Sequence, residues 1–159
     1  MDASTRSTQA LAQGRDRWHE HGNSTALVKA VPYATWLGVQ VKAYEADDIE
    51  FVMPYGDKLV GNFQLPALHG GAIAGFMEVS ATLYLLLKLE KNRVPRCVDF
   101  SIDYLRSAAA VDTRAHCIVQ RLGLRVASLR VDALQARPNS EHSRTVATAR
   151  AHFLLEAAP

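Results

Sequence analysis

Between Lys58 and Lys88 the chain carries one formally charged side chain, Glu78, if His69 is set aside. The stretch from Gly71 to about Glu90 lacks proline and is dominated by apolar residues, so it suits a helix about 30 Å long. A helix that is apolar on almost every side has to be buried nearly all round, and the rest of the chain must be arranged to cover it. A carboxylate in such a segment is costly to bury unless something compensates it. The segment is opened by His69-Gly70-Gly71-Ala72-Ile73-Ala74-Gly75. The first N–H groups of a helix have no intrahelical acceptor, so a His-Gly-Gly turn there presents donors to any carbonyl or anion placed before it. An isolated acid nine residues after a pre-aimed donor is the minimal equipment for attack on an activated carbonyl. Gly71 and Gly75, four apart, permit close approach of another backbone, and packing explains them as well as function does.

The remaining segments read mostly as strands. Residues 1–23 are polar and form an N-terminal extension, frayed or loosely docked as a helix, ahead of a domain over 24–159. Ser24 is expected to cap a short helix ended by Pro32, before the apolar cluster Tyr33, Trp36 and Leu37. Val39 to Ala43 and Ile49 to Met53 alternate with period two and predict a hairpin, and residues 57–69 read as a loop. After the helix come four more alternating segments. In 97–105, Val98, Phe100, Ile102 and Tyr104 share one face and Cys97, Asp99, Ser101 and Asp103 the other. Segments 111–119, 127–134 and 147–153 follow, punctuated by Gly123 and by Pro138-Asn139-Ser140. One dry and one wetter face per strand is the antiparallel pattern. The expected class is α+β: a long central helix wrapped by a curved antiparallel sheet of about six strands. One sheet covers one side of the helix, which points to a partner subunit for more of it.

Composition removes several classes of function. The 159 residues fit one domain with a real core. A net charge of +2 without a basic cluster argues against nucleic acid. The apolar run is closed by Lys88 and Glu90 short of a membrane span, and the first twenty residues lack the apolar core of a signal peptide, so no membrane and a cytoplasmic location are expected. Cys97 and Cys117 have no metal spacing and read as small buried hydrophobes, and His19-x-His21 sits in a solvated segment, so no metal is expected. Charge is unevenly spread, with seven Lys and Arg against ten acidic residues in 1–90 and eleven against six in 91–159. Ten of those eleven cations are arginines, whose planar fork suits phosphate. Arg106, Arg121 and Arg125, at strand ends or turns, are the candidates for holding phosphates. Trp36, Phe63, Phe76 and Tyr84 could line an aromatic or apolar pocket, and each serves equally well as core.

The order of elements, with His-Gly-Gly leading into the helix, resembles the hotdog fold over roughly residues 30–156. More narrowly it resembles the acyl-CoA thioesterases of the phenylacetate-degradation (PaaI-like) and 4-hydroxybenzoyl-CoA group. That resemblance implies that the Gly70 N–H donates to the thioester carbonyl and that Glu78 acts as nucleophile or general base. This chain matches the branch with glutamate at that position, which also has a threonine one turn on, here Thr82. His69 and Gly71 belong to the same turn. The stretch Val98 to Arg106 resembles the strand after the family's helix. The family also carries Asn or Gln six residues before the histidine. Phe63 stands there, so the role falls to a neighbour: Asn62 if the loop is one residue longer, or else Gln64. The resemblance implies an acyl-CoA substrate, no cofactor beyond the coenzyme A of that substrate, and a homodimer that often pairs into a dimer of dimers. Two other readings stay open: a hotdog enoyl-CoA hydratase or dehydratase, and a non-catalytic acyl-CoA binding module.

Overall fold

A computed structural model describes residues 3–43, 48–62, 64–89, 93–137 and 142–157. In chain order these form α1 (Ala3–His21), α2 (Thr25–Ala30), α3 (Pro32–Leu37), β1 (Gln40–Ala43), β2 (Ile49–Met53), β3 (Val60–Asn62), β4 (Ala67–Leu68), α4 (Gly70–Lys88), β5 (Arg93–Tyr104), β6 (Thr113–Leu122), β7 (Val126–Ala136) and β8 (Ser143–Ala157). The main sheet is antiparallel throughout its pairs, in the order β1-β2-β6-β7-β8-β5.

The long helix sits where its sequence requires. β2, β5, β6, β7 and β8 all touch α4, so the sheet lies around it. Facing the helix, the central strands present small residues: Ala115, Ala127, Ala133, Ala147, Ala149 and Ala151 are essentially inaccessible. Alanine at these positions lets the sheet approach closely, and the bulk is supplied by Phe76, Met77, Leu83 and Leu85 of α4, each fully buried. Burial of each such side chain contributes about 1.5–3 kcal/mol. Phe76 and Tyr84 are thus core residues. By length and a mean hydropathy of 1.5, α4 is apolar enough to cross a bilayer, which corrects the expectation that no run qualified, yet most of it is buried inside the domain.

The helix is not buried all round. Gly71 and Glu78 are exposed, and Ala74, Gly75 and Thr82 are half-buried, marking one open stripe at helical spacing. The other flanks are closed by α1 and α3, which also contact α4. α1 is firmly seated: Arg15 is only 1% exposed and donates to the Arg93 carbonyl at 2.6 Å. Burial lowers the pKa of its guanidinium, an effect partly offset by Asp16.

Other local expectations change. Ser24 makes no side-chain cap, and the start of α2 is served by Asn23 Oδ1, which accepts from Thr25 N–H at 2.9 Å. Pro32 begins α3 instead of only ending α2, because proline fits the first helical turn, where its missing N–H is not needed. Within 57–69, β3 and β4 pair as a small antiparallel ribbon. The Pro138-Asn139-Ser140 turn and Phe63 lie outside the described residues.

Candidate active site

The turn before α4 is tied down from three sides. His69 N–H donates to the Leu59 carbonyl at 2.8 Å, and Leu68 N–H to the Ala108 carbonyl at 2.9 Å. Gly61 faces His69 so closely that a Cβ there would come within 2.7 Å of the His69 Cα. His69 is the N-cap of α4, and its Nδ1 accepts from Gly71 N–H at 2.9 Å. This is the reading in which the imidazole sets the turn. Accepting at Nδ1 leaves the proton of the neutral ring on Nε2. Gly71 N–H is therefore committed, while Gly70, as first residue of the helix, has an N–H with no intrahelical acceptor.

Tyr104, which closes β5, completes this end of the site. Its Oη donates to the Gly70 carbonyl at 2.8 Å, and a Cβ at Gly70 would meet Tyr104 ring atoms at 3.1 Å. Gly70, Ile73, Tyr104, Arg106 and Ser107 border an open cleft of about 370 Å³. Of the three candidate arginines, Arg106 alone lines this cleft, with its guanidinium also donating to the Thr145 carbonyl at 2.7 Å. Arg121 and Arg125 flank the β6–β7 turn, where Leu122 aligns with Ala127, Phe153 and Cys97, at the end of the sheet away from Tyr104.

Glu78 stands eight residues into α4, exposed on its open stripe. At 1.5 Å per residue it is about 12 Å along the axis from Gly70. Its neighbour across the gap to β5 is Cys97. A bulge between Cys97 and Asp99 shifts the register, so Cys97 turns to the helix side with Phe100 while Val98 stays 50% exposed. That corrects the expected alternation, which set Cys97 on the face opposite Phe100. Burial first, then the negative charge of the Glu78 carboxylate, push the Cys97 pKa up to about 11, while the thiol itself donates to the Asp99 carbonyl at 3.6 Å. Cys117 is fully buried, which raises its pKa further.

Two expected residues occupy other roles within one chain. Thr82 Oγ1 donates to the Glu78 backbone carbonyl at 3.0 Å, not to its carboxylate. Asn62 Oδ1 accepts from Gln64 and Leu65 N–H groups at 2.9 and 3.1 Å and so shapes the turn after β3, lining a separate cleft with Tyr55, Asp57 and Pro66. Trp36 is not core: it stacks on Tyr33 with ring centroids 5.7 Å apart, both half-exposed, and Lys58 Nζ lies 4.4 Å from its ring. Tyr33 in turn lies against Gly75, where a Cβ would meet its Cε1 at 2.7 Å. Sequence reasoning missed Tyr104 and Cys97 as site neighbours, and only the bulge in β5 could have revealed the second.

Residues 65–142 match the model of the thioesterase superfamily. The chain is 27% identical to the medium/long-chain acyl-CoA thioesterase YigI of Escherichia coli (strain K12), over an alignment covering 81% of this chain and 88% of that protein. Among solved structures, a protein of Chromobacterium violaceum is 36% identical with a TM-score of 0.69, covering 93% of this chain and 97% of that one. A putative thioesterase, a phenylacetic acid degradation-related protein from Ralstonia eutropha JMP134, superposes with a TM-score of 0.70 at 18% identity, covering 89% and 98%.

Proposed function

We propose that the chain, whose residues 65–142 match the thioesterase superfamily and whose fold is that of the hotdog thioesterases, hydrolyses acyl-CoA thioesters to the free acid and CoA, with Glu78 as base or nucleophile and the Gly70 N–H as oxyanion donor. The observation that carries this reading is the pairing of a free helix-terminal donor, at the edge of an open cleft, with the lone carboxylate of an otherwise apolar helix on its open stripe. With Glu78 as base, it takes a proton from water as the water oxygen attacks the thioester carbon. The carbonyl oxygen gains negative charge against the Gly70 N–H. Collapse breaks the C–S bond, and the proton passes from Glu78 to the leaving thiolate.

The separation of about 12 Å along one helix is too long for Gly70 and Glu78 to serve a single carbonyl. A glutamate leaning toward the helix N-terminus recovers about 5 Å of it. The reading therefore includes a two-fold homodimer, further paired into a dimer of dimers, in which the open stripes of two α4 helices run antiparallel and Gly70 meets Glu78 of the partner subunit. The CoA phosphates are assigned to arginines of the C-terminal half, with Arg106 nearest Gly70 and Arg121 and Arg125 as further candidates. CoA release from octanoyl-, palmitoyl-, phenylacetyl- and 4-hydroxybenzoyl-CoA tests the activity. Turnover of at least one, abolished in Glu78→Gln, is the expected result. Binding without CoA release from any of them would make the chain a binding module, and hydration of crotonyl-CoA without hydrolysis would make it a hydratase.

A further inference from the structure

Gly70 joins two peptide planes, and glycine at a helix start is the residue least able to hold them still. Both planes are nevertheless held. In the plane before Gly70, the His69 carbonyl accepts from Ala72 and Ile73 N–H at 2.9 and 3.2 Å, which leaves the Gly70 N–H pointing outward. In the plane after it, the Gly70 carbonyl accepts from Tyr104 Oη at 2.8 Å while the Gly71 N–H donates to His69 Nδ1 at 2.9 Å. One peptide unit is thus gripped at both ends, by a side chain from its own turn and by one from the end of β5. The grip is anchored in turn. Leu105 and Arg106 N–H both donate to the Val146 carbonyl, at 2.9 and 3.1 Å, which fixes the backbone just beyond Tyr104 to β8. The Tyr104 ring also closes on Gly70, since a Cβ built there would meet it at 3.1 Å.

We propose that Tyr104 and His69 are positioning residues: by clamping the Gly70–Gly71 peptide they fix Gly70 between its two planes, and so keep its own N–H, which belongs to the preceding plane, aimed at the developing oxyanion. An oxyanion donor is effective because it is already oriented when charge appears. Loosening the peptide leaves substrate binding in place and lowers transition-state stabilisation. The inference rests on the reading of Gly70 as donor, so Glu78→Gln is measured beside it to let the two fail separately.

The test uses Tyr104→Phe, which keeps the ring and removes the hydroxyl, with His69→Ala and His69→Asn, since an asparagine oxygen can replace Nδ1 as a cap acceptor. Losing a whole oxyanion donor costs about 10²–10³ in kcat, and a loosened one should cost about tenfold. Tyr104→Phe and His69→Ala are expected to lower kcat by that factor, with KM within twofold and the shape of the pH profile unchanged. His69→Asn is expected to restore most of the loss. Hydrogen exchange at the Gly71 amide, read independently of activity, is expected to quicken in both Tyr104→Phe and His69→Ala. Wild-type kcat in Tyr104→Phe, with Glu78→Gln inactive, overturns the clamp and leaves the proposed function standing. So does a loss that appears in KM alone, or a His69→Asn no better than His69→Ala. Unimpaired turnover in Glu78→Gln overturns the mechanism beneath both.

Discussion

The Cys97 Sγ donates to the Asp99 carbonyl oxygen at 3.6 Å, and across the gap between β5 and α4 the same thiol feels the negative charge of the Glu78 carboxylate. The contact exists because the β5 bulge returns Cys97 to the helix side of the sheet. A strand without that extra residue would have turned the sulfur to the outer face of the sheet.

Alkylation of Cys97 reports on this contact. Partial burial and the Glu78 charge raise its pKa to about 11, so the sulfur stays a thiol through neutral pH and iodoacetamide should label it slowly at pH 8. In Glu78→Gln the neighbouring negative charge is gone, the pKa falls and more thiolate is present at pH 9, so labelling quickens. The same sign applies to stability. The folded thiol keeps its proton above the pH at which an unfolded cysteine loses it, so this contribution is full at neutral pH and is lost as pH rises from about 9 toward about 11. Equal labelling rates at Cys97 in wild type and Glu78→Gln, followed by mass spectrometry, would show the two groups apart.

Glu78→Gln keeps the shape of the side chain and removes its charge. Positioned acid–base catalysis typically contributes about 10²–10⁴, and turnover should fall by that factor with little change in KM. Because Glu78 is exposed on α4 and holds no part of the core, the thermal midpoint should stay close to wild type. A variant with near-full activity contradicts the assignment.

Gln135 is fully buried and grips the loop that borders the Gly70 cleft. Its Nε2 donates to the Ala109 carbonyl at 2.9 Å and to Thr113 Oγ1 at 3.0 Å, and its Oε1 accepts from Ala109 N–H at 3.0 Å. Gln135→Leu is close in size yet strips these groups of their partner, which should cost roughly 2–4 kcal/mol. Chemical denaturation measures this directly. An unchanged midpoint would mean that the loop holds itself.

Much of the fold could be read from residue types alone, and the exceptions have physical causes. The long helix and the alternation in 127–133 and 147–153 are legible because burial on one face imposes a period on the sequence. The Cys97 register was not legible, because a bulge changes parity without leaving a glycine or proline to mark it. Pro32 is ambiguous in the same way, since proline both ends one helix and begins the next. His69, Gly70 and Glu78 stand out by chemical contrast with their neighbours. Tyr104 does not, since at the end of an alternating strand it looks like one more apolar residue, and its bond to Gly70 depends on how β5 lies against α4. Thr82 shows the opposite case. One turn from Glu78, its spacing allows a bond to the carboxylate or to a water, but a helical threonine also reaches the carbonyl four residues back, and that is where its hydroxyl goes.

The three arginines should separate in kinetics. Arg106 shares the Gly70 cleft, whereas Arg121 and Arg125 sit at the far end of the same chain. In the antiparallel dimer proposed above, that far end would be brought toward the Gly70 of the other subunit. Removing a cation that binds phosphate weakens ground and transition states alike, so Arg106→Ala should raise KM and leave kcat nearly unchanged. The effect should shrink as salt screens the pairing. Unchanged KM in single substitutions of all three arginines would move the CoA site elsewhere.

A mixed dimer decides whether the site is shared. Gly70→Val places a branched side chain against the Tyr104 ring and blocks the donor, while Glu78→Gln removes the acid. Each variant alone is expected to be nearly inactive in either arrangement. If each site takes Gly70 from one subunit and Glu78 from the other, a dimer of the two variants contains one site with both groups intact and one with neither. Random reassortment of equal amounts makes half the dimers mixed, each with one good site of two, so activity should return to about one quarter of wild type. If both groups acted within one chain, every site in the mixture would lack one of them and no activity would return. A sedimentation profile taken under assay conditions accompanies the measurement. A fully active monomer, or a mixture as inactive as its components after confirmed exchange, would rule out the shared site.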